Sequence, residues 1–150
     1  MKKLRVYLDT SVVSALYDED KPERQQLTRD FFARSAELDM VISPMTLLEI
    51  NATPNAVLRA KMLELVKPFT VLAGCDEVQR MVELYVSYGV LPPGKYADLL
   101  HIAHATVAGI NYLLSWNFTH LVKIKTKAMV NMANIAGNYA TIEIIPPPEV

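Results

Sequence analysis

Apolar positions along this chain follow two rhythms, one of short continuous runs and one of longer stretches at helical spacing. Residues 4–8 are a largely apolar, branched-rich run with no room for a helix before the turn signal Asp9-Thr10-Ser11, which predicts a buried strand with a carboxylate at its end. Thr10 or Ser11 can cap a short helix through Tyr17. Pro22 suits the first turn of a longer helix, in which Leu27, Phe31 and Leu38 fall near helical spacing. A second strand over 40–42 is closed by Ser43-Pro44. A helix over 45–53 carries Glu49 early in its length, Pro54 interrupts it, and 56–66 resumes with Val57, Leu58, Met62, Leu65 and Val66 in phase. Residues 69–72 predict a third strand, and 76–88 a helix with Val78, Met81, Val82 and Tyr85 on one face, ended by Gly89. After the loop Leu91-Pro92-Pro93-Gly94, the positions Tyr96, Leu99, Leu100, Ala103, Val107 and Ala108 mark an amphipathic helix with Asp98 in its opening turn and Gly109 at its close. A fourth strand over 111–115, one or two helices within 118–137 and a fifth strand over 141–145, stopped by three prolines, complete the pattern.

Strands that alternate with helices need crossover connections, so the expected fold is α/β, with a mostly parallel sheet of roughly five strands covered on both faces. No repeat and no linker long enough to divide the chain is visible, so residues 1–150 are expected to form one domain. In open sheets of this class ligands bind beyond the carboxyl ends of the strands, where Asp9 and residues 115–117 fall. Charge narrows the options: 15 Lys and Arg against 16 Asp and Glu leave a net charge of -1, so any nucleic-acid site has to be local. Lys2, Lys3 and Arg5 form one candidate cluster and Lys123, Lys125 and Lys127 another, each read equally well as solvated surface charge. The single cysteine, Cys75, excludes an internal disulfide framework and reads as a small buried hydrophobe. The apolar run behind the basic amino terminus stops at Asp9, too short for a signal peptide core or a membrane span, which leads to an expectation of a cytoplasmic protein.

Asp9, Glu49 and Asp98 can face one crevice. Three converging carboxylates repel one another and raise each other's pKa, a conflict that a divalent cation resolves. Mg²⁺ or Mn²⁺ accepts a few carboxylates while keeping waters and phosphate oxygens, as in-line attack of water on a phosphodiester requires. On spacing alone each acid reads equally as a surface charge or a helix cap.

The segments Val6-Tyr7-Leu8-Asp9-Thr10-Ser11-Val12-Val13, Leu47-Leu48-Glu49-Ile50, Lys95-Tyr96-Ala97-Asp98-Leu99-Leu100-His101-Ile102-Ala103-His104-Ala105 and Leu114-Ser115-Trp116-Asn117-Phe118 together resemble the signatures of PIN domains, in their proper order. Among PIN proteins the chain most resembles the VapC-type ribonuclease toxins of type II toxin–antitoxin systems. That resemblance implies a three-layer α/β/α PIN-like domain and Mg²⁺- or Mn²⁺-dependent cleavage of RNA. It also implies a homodimer and a cognate antitoxin. It assigns Asp9, Glu49 and Asp98 to the family's first three acidic positions, as metal ligands and catalytic groups. The fourth position departs from the pattern: Asn117 stands where many members have aspartate, which removes one negative charge and leaves open whether one or two metals bind. The hydroxyls of Thr10, Ser11 and Ser115 are candidates to hydrogen-bond ligating carboxylates or metal-bound water, with a plain helix cap as the stronger reading for Ser11. An antitoxin helix is expected to dock in a groove formed by Phe31, Phe32 and Leu38 with Met62 and Leu65.

Other readings compete less well. Asp98, His101 and His104 at steps of three suggest zinc, but no cysteine or further histidine lies nearby, and the helix's apolar pattern accounts for both histidines as partly buried residues. His120 reads as a phosphate contact or a surface residue, and Trp116 as a base-stacking ring or packing against a helix. An aspartate-nucleophile phosphatase needs an acid where Ser11 stands, and no glycine-rich phosphate loop is present. The non-enzyme alternative is a catalytically weak or inactive PIN-like module that binds RNA or protein, a reading that Asn117 favours and the three retained acids oppose.

Overall fold

The computed structural model describes residues 2–150, so Met1 of the basic amino-terminal run lies outside the described residues. Five strands, β1 (Leu4–Leu8), β2 (Leu38–Ile42), β3 (Thr70–Val71), β4 (Tyr112–Leu114) and β5 (Glu143–Ile145), form one sheet in the order β3-β2-β1-β4-β5. Every neighbouring pair is parallel. Seven α-helices fill the connections: α1 (Thr10–Ala15), α2 (Pro22–Ala33), α3 (Pro44–Asn51), α4 (Ala56–Val66), α5 (Asp76–Ser87), α6 (Tyr96–Val107) and α7 (Ile124–Ala136).

Side chains on successive strand residues alternate between two cores. Tyr7, Val41, Leu113 and Ile144 face a core shared with Val78, Met81 and Tyr85 of α5, Leu99 and Ile102 of α6 and Val130 of α7. Val6, Leu8, Met40, Ile42, Leu114 and Ile145 face the other, with Val12 and Val13 of α1, Phe31 of α2, Ile50 of α3 and Met62 of α4. The result is a three-layer α/β/α domain. Both faces of the middle strands are covered, which is why these segments read as continuous apolar runs.

The chain builds outward from β1 to β2 and β3, then returns to the opposite side of β1 through β4 and β5. The switch in direction lies between β1 and β4, and a crevice opens at their carboxyl ends. Asp9 caps α1 there, its side chain accepting from the backbone N–H of Ser11, so the cap is neither Thr10 nor Ser11 as the sequence suggested. Ser43 caps α3 at the carboxyl end of β2 in a reciprocal arrangement with Thr46, and Pro44 occupies the first helical position.

Several expectations need correction. The helix after Asp9 ends at Ala15, short of Tyr17. Glu49 lies in the last turn of α3 rather than early, because the helix starts at Pro44 and stops at Asn51. Residues 118–123 are a turn, so one helix, α7, fills that region. Cys75 is exposed, since α5 points Val78, Met81, Val82 and Tyr85 at the sheet and leaves its leading residue outside. Phe31 and Met62 are 0% and 2% exposed, so they belong to the core beneath α2 and α4 and cannot wall a docking groove.

Candidate active site

The structure brings Asp9, Glu49 and Asp98 into one neighbourhood from three elements. Asp9 follows β1, Glu49 comes from α3, and Asp98 is the third residue of α6. Asp9 is 4% exposed, and its carboxylate is filled with donors: Oδ1 accepts from Ser11 N–H at 3.0 Å and Ser11 Oγ at 2.5 Å, and Oδ2 from Ser115 Oγ at 2.5 Å. Burial nevertheless pushes its pKa up, offset in part by the field of His101 and the two serine hydroxyls and reinforced by Asp98. Asp98 is raised as well, chiefly by burial, with His101, Lys95 and His120 opposing and the nearby Glu49 adding to the rise.

Glu49 behaves differently. Burial would raise it, yet hydrogen bonds from His101 and Thr10 outweigh burial and hold it below the ordinary carboxylate range. Thr10 Oγ1 donates to Glu49 Oε1 at 2.7 Å, and His101 Nε2 lies 2.5 Å from the same oxygen. A carboxylate only accepts, so Nε2 carries the proton. The other ring nitrogen, Nδ1, lies 2.6 Å from the hydroxyl of Tyr7, and that hydroxyl lies 2.7 Å from Ser43 Oγ; its single proton serves one of the two contacts and its oxygen accepts in the other. A continuous chain therefore runs from the Ser43 cap through Tyr7 and His101 to Glu49. Burial lifts the Tyr7 phenol far above its usual value, so it is a neutral hydroxyl at any working pH. His101, 2% exposed, was weighed in the sequence only as a zinc ligand or a partly buried residue, and its place beside Glu49 was missed. Its one visible signal was the position three residues after Asp98, on the same helix face.

Asn117 sits at the carboxyl side of β4, where its amide oxygen accepts from His120 N–H at 3.0 Å and closes the 117–122 turn. Its own N–H donates to Ser115 Oγ at 3.0 Å. Trp116 is 7% exposed with its indole N–H on Thr28 Oγ1 at 3.0 Å, which makes it a packing residue. His104 is buried, and burial followed by the field of His101 lowers its pKa. His120 is half-buried on a groove with Lys123 and Lys125. Lys2, Lys3 and Arg5 line a groove with Asp39 and Phe69 at the amino ends of β1 and β2, the opposite end of the sheet from the acids.

The donor chemistry suits a hard divalent cation. Asp9 is a buried and Asp98 a half-buried carboxylate, and both have raised pKa values and act on each other, the condition that a cation relieves. Among the described residues no three His, Cys, Asp or Glu side chains are close enough to cage an ion, since Glu49 is turned toward His101 and Thr10. That set fits an ion held by few side chains, with water or substrate oxygens in its remaining positions, as Mg²⁺ prefers.

A three-layer parallel domain with acids at the strand-order switch defines the class, and comparison with known proteins gives it a family. Residues 6–117 match the PIN domain family, and the chain belongs to it. Two solved structures share its fold. One is of VapBC-1 from nontypeable Haemophilus influenzae, with TM-score 0.62 and 15% identity, covering 96% of this chain and 98% of that one. The other, with TM-score 0.58, 13% identity and coverage of 76% and 89%, is of VapBC2 from Rickettsia felis bound to a DNA fragment from their promoter. No curated protein matches the sequence.

Proposed function

We propose that this protein is a metal-dependent endoribonuclease that hydrolyses RNA phosphodiester bonds, serving as the toxin of a toxin–antitoxin pair. The observation that supports it is the meeting of the acids at the crevice where β1 and β4 end, with Asp98 in electrostatic reach of both Asp9 and Glu49. Asp9 and Asp98 are the groups to hold the ion, while Glu49, turned toward Thr10 and His101, stands beside them. When bound, Mg²⁺ or Mn²⁺ supplies Lewis-acid polarisation of the phosphate and a water of lowered pKa. Ser11 and Ser115 fix the direction of Asp9's two oxygens. Glu49, kept ionised by Thr10 and His101, is the acceptor for the proton of the attacking water. Asn117 contributes no charge at the fourth position, which favours one metal over two.

The family and the names of the two structural neighbours support a VapC-like role. An antitoxin segment and a second copy of the chain are the partners that follow from it, and the cytoplasm is the compartment. No helix among the described residues is long and apolar enough to cross a membrane. A second reading, a catalytically weak or inactive module, draws on Asn117, whose oxygen is already engaged by a backbone N–H.

Cleavage of a structured RNA mixture with Mn²⁺ or Mg²⁺, beside a chelator control and Asp98→Asn, separates the two. Cleavage that needs both the metal and Asp98 is the expected result. No cleavage by a folded protein that Mn²⁺ stabilises would favour the silent module, and equal product from wild type and variant would refute the assignment of Asp98.

A further inference from the structure

Beside the acids lies a groove of about 330 Å³ walled by Ser11, Lys21, Arg24, Trp116 and Asn117, with Asp18 also on its wall. Arg24 marks it. Its guanidinium carbon lies 5.1 Å from the centre of the Trp116 ring and 5.8 Å from that of Phe118, and the two rings are 6.1 Å apart, tilted by 59°. Trp116 is fixed in turn by its indole bond to Thr28 and by its backbone N–H, which donates at 2.9 Å to the hydroxyl of Ser11. The same Ser11 hydroxyl holds Asp9.

Among the described residues the guanidinium of Arg24 has no ion-pair partner and no hydrogen-bond acceptor; the Thr28 hydroxyl donates to the Arg24 backbone carbonyl. A half-buried guanidinium stacked on aromatic rings and lacking an acceptor is a preorganised fork for a planar or tetrahedral oxyanion. Two residues, Trp116 and Ser11, link it to Asp9. Asp18 lies on the same wall without a salt bridge to Arg24, and one of its oxygens takes the Asp20 N–H. A cluster of carboxylates repels the phosphate it is to cut, and a chain of net charge -1 has no general field to overcome that. A fixed positive charge beside the cluster answers this need locally. Phe118 is 49% exposed and offers a ring to a base, whereas Trp116 is too buried to do so.

We propose that Arg24, with Lys21, binds the phosphate next to the scissile one on single-stranded RNA, and that Phe118 stacks the adjoining base. The inference rests on the nuclease reading and adds a substrate-positioning site to it. The test is anisotropy of a fluorescein-labelled single-stranded RNA of mixed sequence, in an Asp98→Asn background without added cation, at several salt concentrations. Arg24→Gln is expected to weaken binding roughly five- to tenfold and to lower the slope of log affinity against log salt by about 0.7, the share of one phosphate on a single strand. Lys21→Gln, at an exposed position that cannot threaten folding, is expected to lower the slope similarly, and Arg24→Lys to restore the slope. Phe118→Ala is expected to weaken binding with the slope unchanged. If wild type cleaves RNA while Arg24→Gln and Lys21→Gln bind it unchanged, this site is refuted and the nuclease reading stands. If the RNA does not bind at all and wild type does not cleave, both fall. Loss of a co-purified protein partner in Arg24→Gln with RNA binding intact would overturn the RNA site and assign the groove to that partner.

Discussion

Tyr7→Phe is the most direct probe of the link between the core and Glu49. The Tyr7 side chain is fully buried, and its hydroxyl bonds Ser43 Oγ at 2.7 Å and His101 Nδ1 at 2.6 Å, with Thr46 Oγ1 at 3.4 Å. Ser43 Oγ keeps the bond from Met45 N–H, and Thr46 Oγ1 keeps the one from Ser43 N–H. The loss falls on His101, whose Nδ1 has no other partner among the described residues. Two net hydrogen bonds contribute about 1 kcal/mol each and a stranded buried nitrogen adds about 1–3, so the variant should lose about 3–5 kcal/mol of stability. For a domain of this size that lowers Tm by about 6–20 °C. Tyr85→Phe is the matched control. Tyr85 is equally buried and bonds Thr106 Oγ1 at 3.0 Å and Asn134 Oδ1 at 2.6 Å, on α6 and α7 and apart from the acids. Burial pushes its phenol up to about 12, so it too is a neutral hydroxyl. Urea unfolding with and without Mn²⁺ reads both effects. Both variants should lose comparable stability, and only Tyr7→Phe should also lose part of the Mn²⁺-dependent stabilisation, because His101 no longer holds Glu49. A Tyr7→Phe loss within about 0.5 kcal/mol, the range of an indifferent surface change, would refute the chain of contacts. Equal loss of the Mn²⁺ response in Tyr85→Phe would refute its specificity.

Asp9→Asn should melt higher than wild type in EDTA at neutral pH, because it removes a buried charge while the amide can still meet Ser11 and Ser115, with only the Ser115 contact reversed in polarity. With Mn²⁺ at a hundred times its Kd, wild type should gain about 2.7 kcal/mol, or about 5–10 °C in Tm, and the variant should not; an equal gain in both would remove Asp9 from the cation site. The pH course of the same comparison has a defined sign: Asp9 and Asp98 are raised from 3.8, so stability that they leave intact below that value is lost as pH climbs through their folded values. Glu49, lowered from 4.5, and His104, lowered from 6.5, act oppositely, which is why the wild-type minus Asp9→Asn difference, followed by thermal melts from pH 4 to 8 in EDTA, isolates Asp9; a flat difference would contradict its burial. Asn117→Asp keeps an oxygen for the His120 N–H and adds the missing charge, so it should tighten Mn²⁺ binding and raise cleavage, both measured against wild type; weaker binding by calorimetry would show that this position faces away from the ion.

Much of the fold was legible because burial on two faces leaves a plain mark. Residues 4–8 read as a buried strand, and β1 runs Leu4–Leu8; the spacing of Val57 to Val66 and of Val78 to Tyr85 gave α4 and α5 nearly to the residue. What sequence left ambiguous was decided by contacts between distant segments. An amphipathic stripe does not say what covers it, so Phe31 and Met62 suggested a groove and proved to be core. Three neighbouring residues, Asp9, Thr10 and Ser11, are all good caps, and the choice fell to Asp9 because the Ser11 hydroxyl turns back to it while Thr10 reaches Glu49, 39 residues away. His101 looked like a satisfied core histidine. It is satisfied, but by Tyr7 and Glu49, which lie 94 and 52 residues from it, a pairing no local pattern encodes. Arg24 lies in a polar helix where a surface charge is the default, and its significance comes only from Trp116 and Phe118 in a segment folded against it.

The three acids are not equivalent, and the difference follows from where each sits. Asp98 is in the first turn of α6, where the helix dipole favours a carboxylate, yet burial and Glu49 still raise its pKa. Glu49 is in the last turn of α3, where the dipole disfavours it, yet it is the one held low. Local helix position therefore does not set the protonation of this site; the hydrogen bonds from Thr10 and His101 do. The bond from His101 is backed by Tyr7, and Tyr7 meets the Ser43 cap, so the charge state of Glu49 is tied in part to the packing of β1 against β2 and α6. Among the described residues Asp9 and Asp98 have no such cationic or imidazole donor bonded to them, and they remain costly while ionised and unpaired. On the proposed reading, a site arranged this way keeps one carboxylate ionised as a proton acceptor without any ion and leaves the other two to be stabilised by one. That division of labour is what a hydrolase needs from its acids, and it is a property of the network around them rather than of their spacing along the chain.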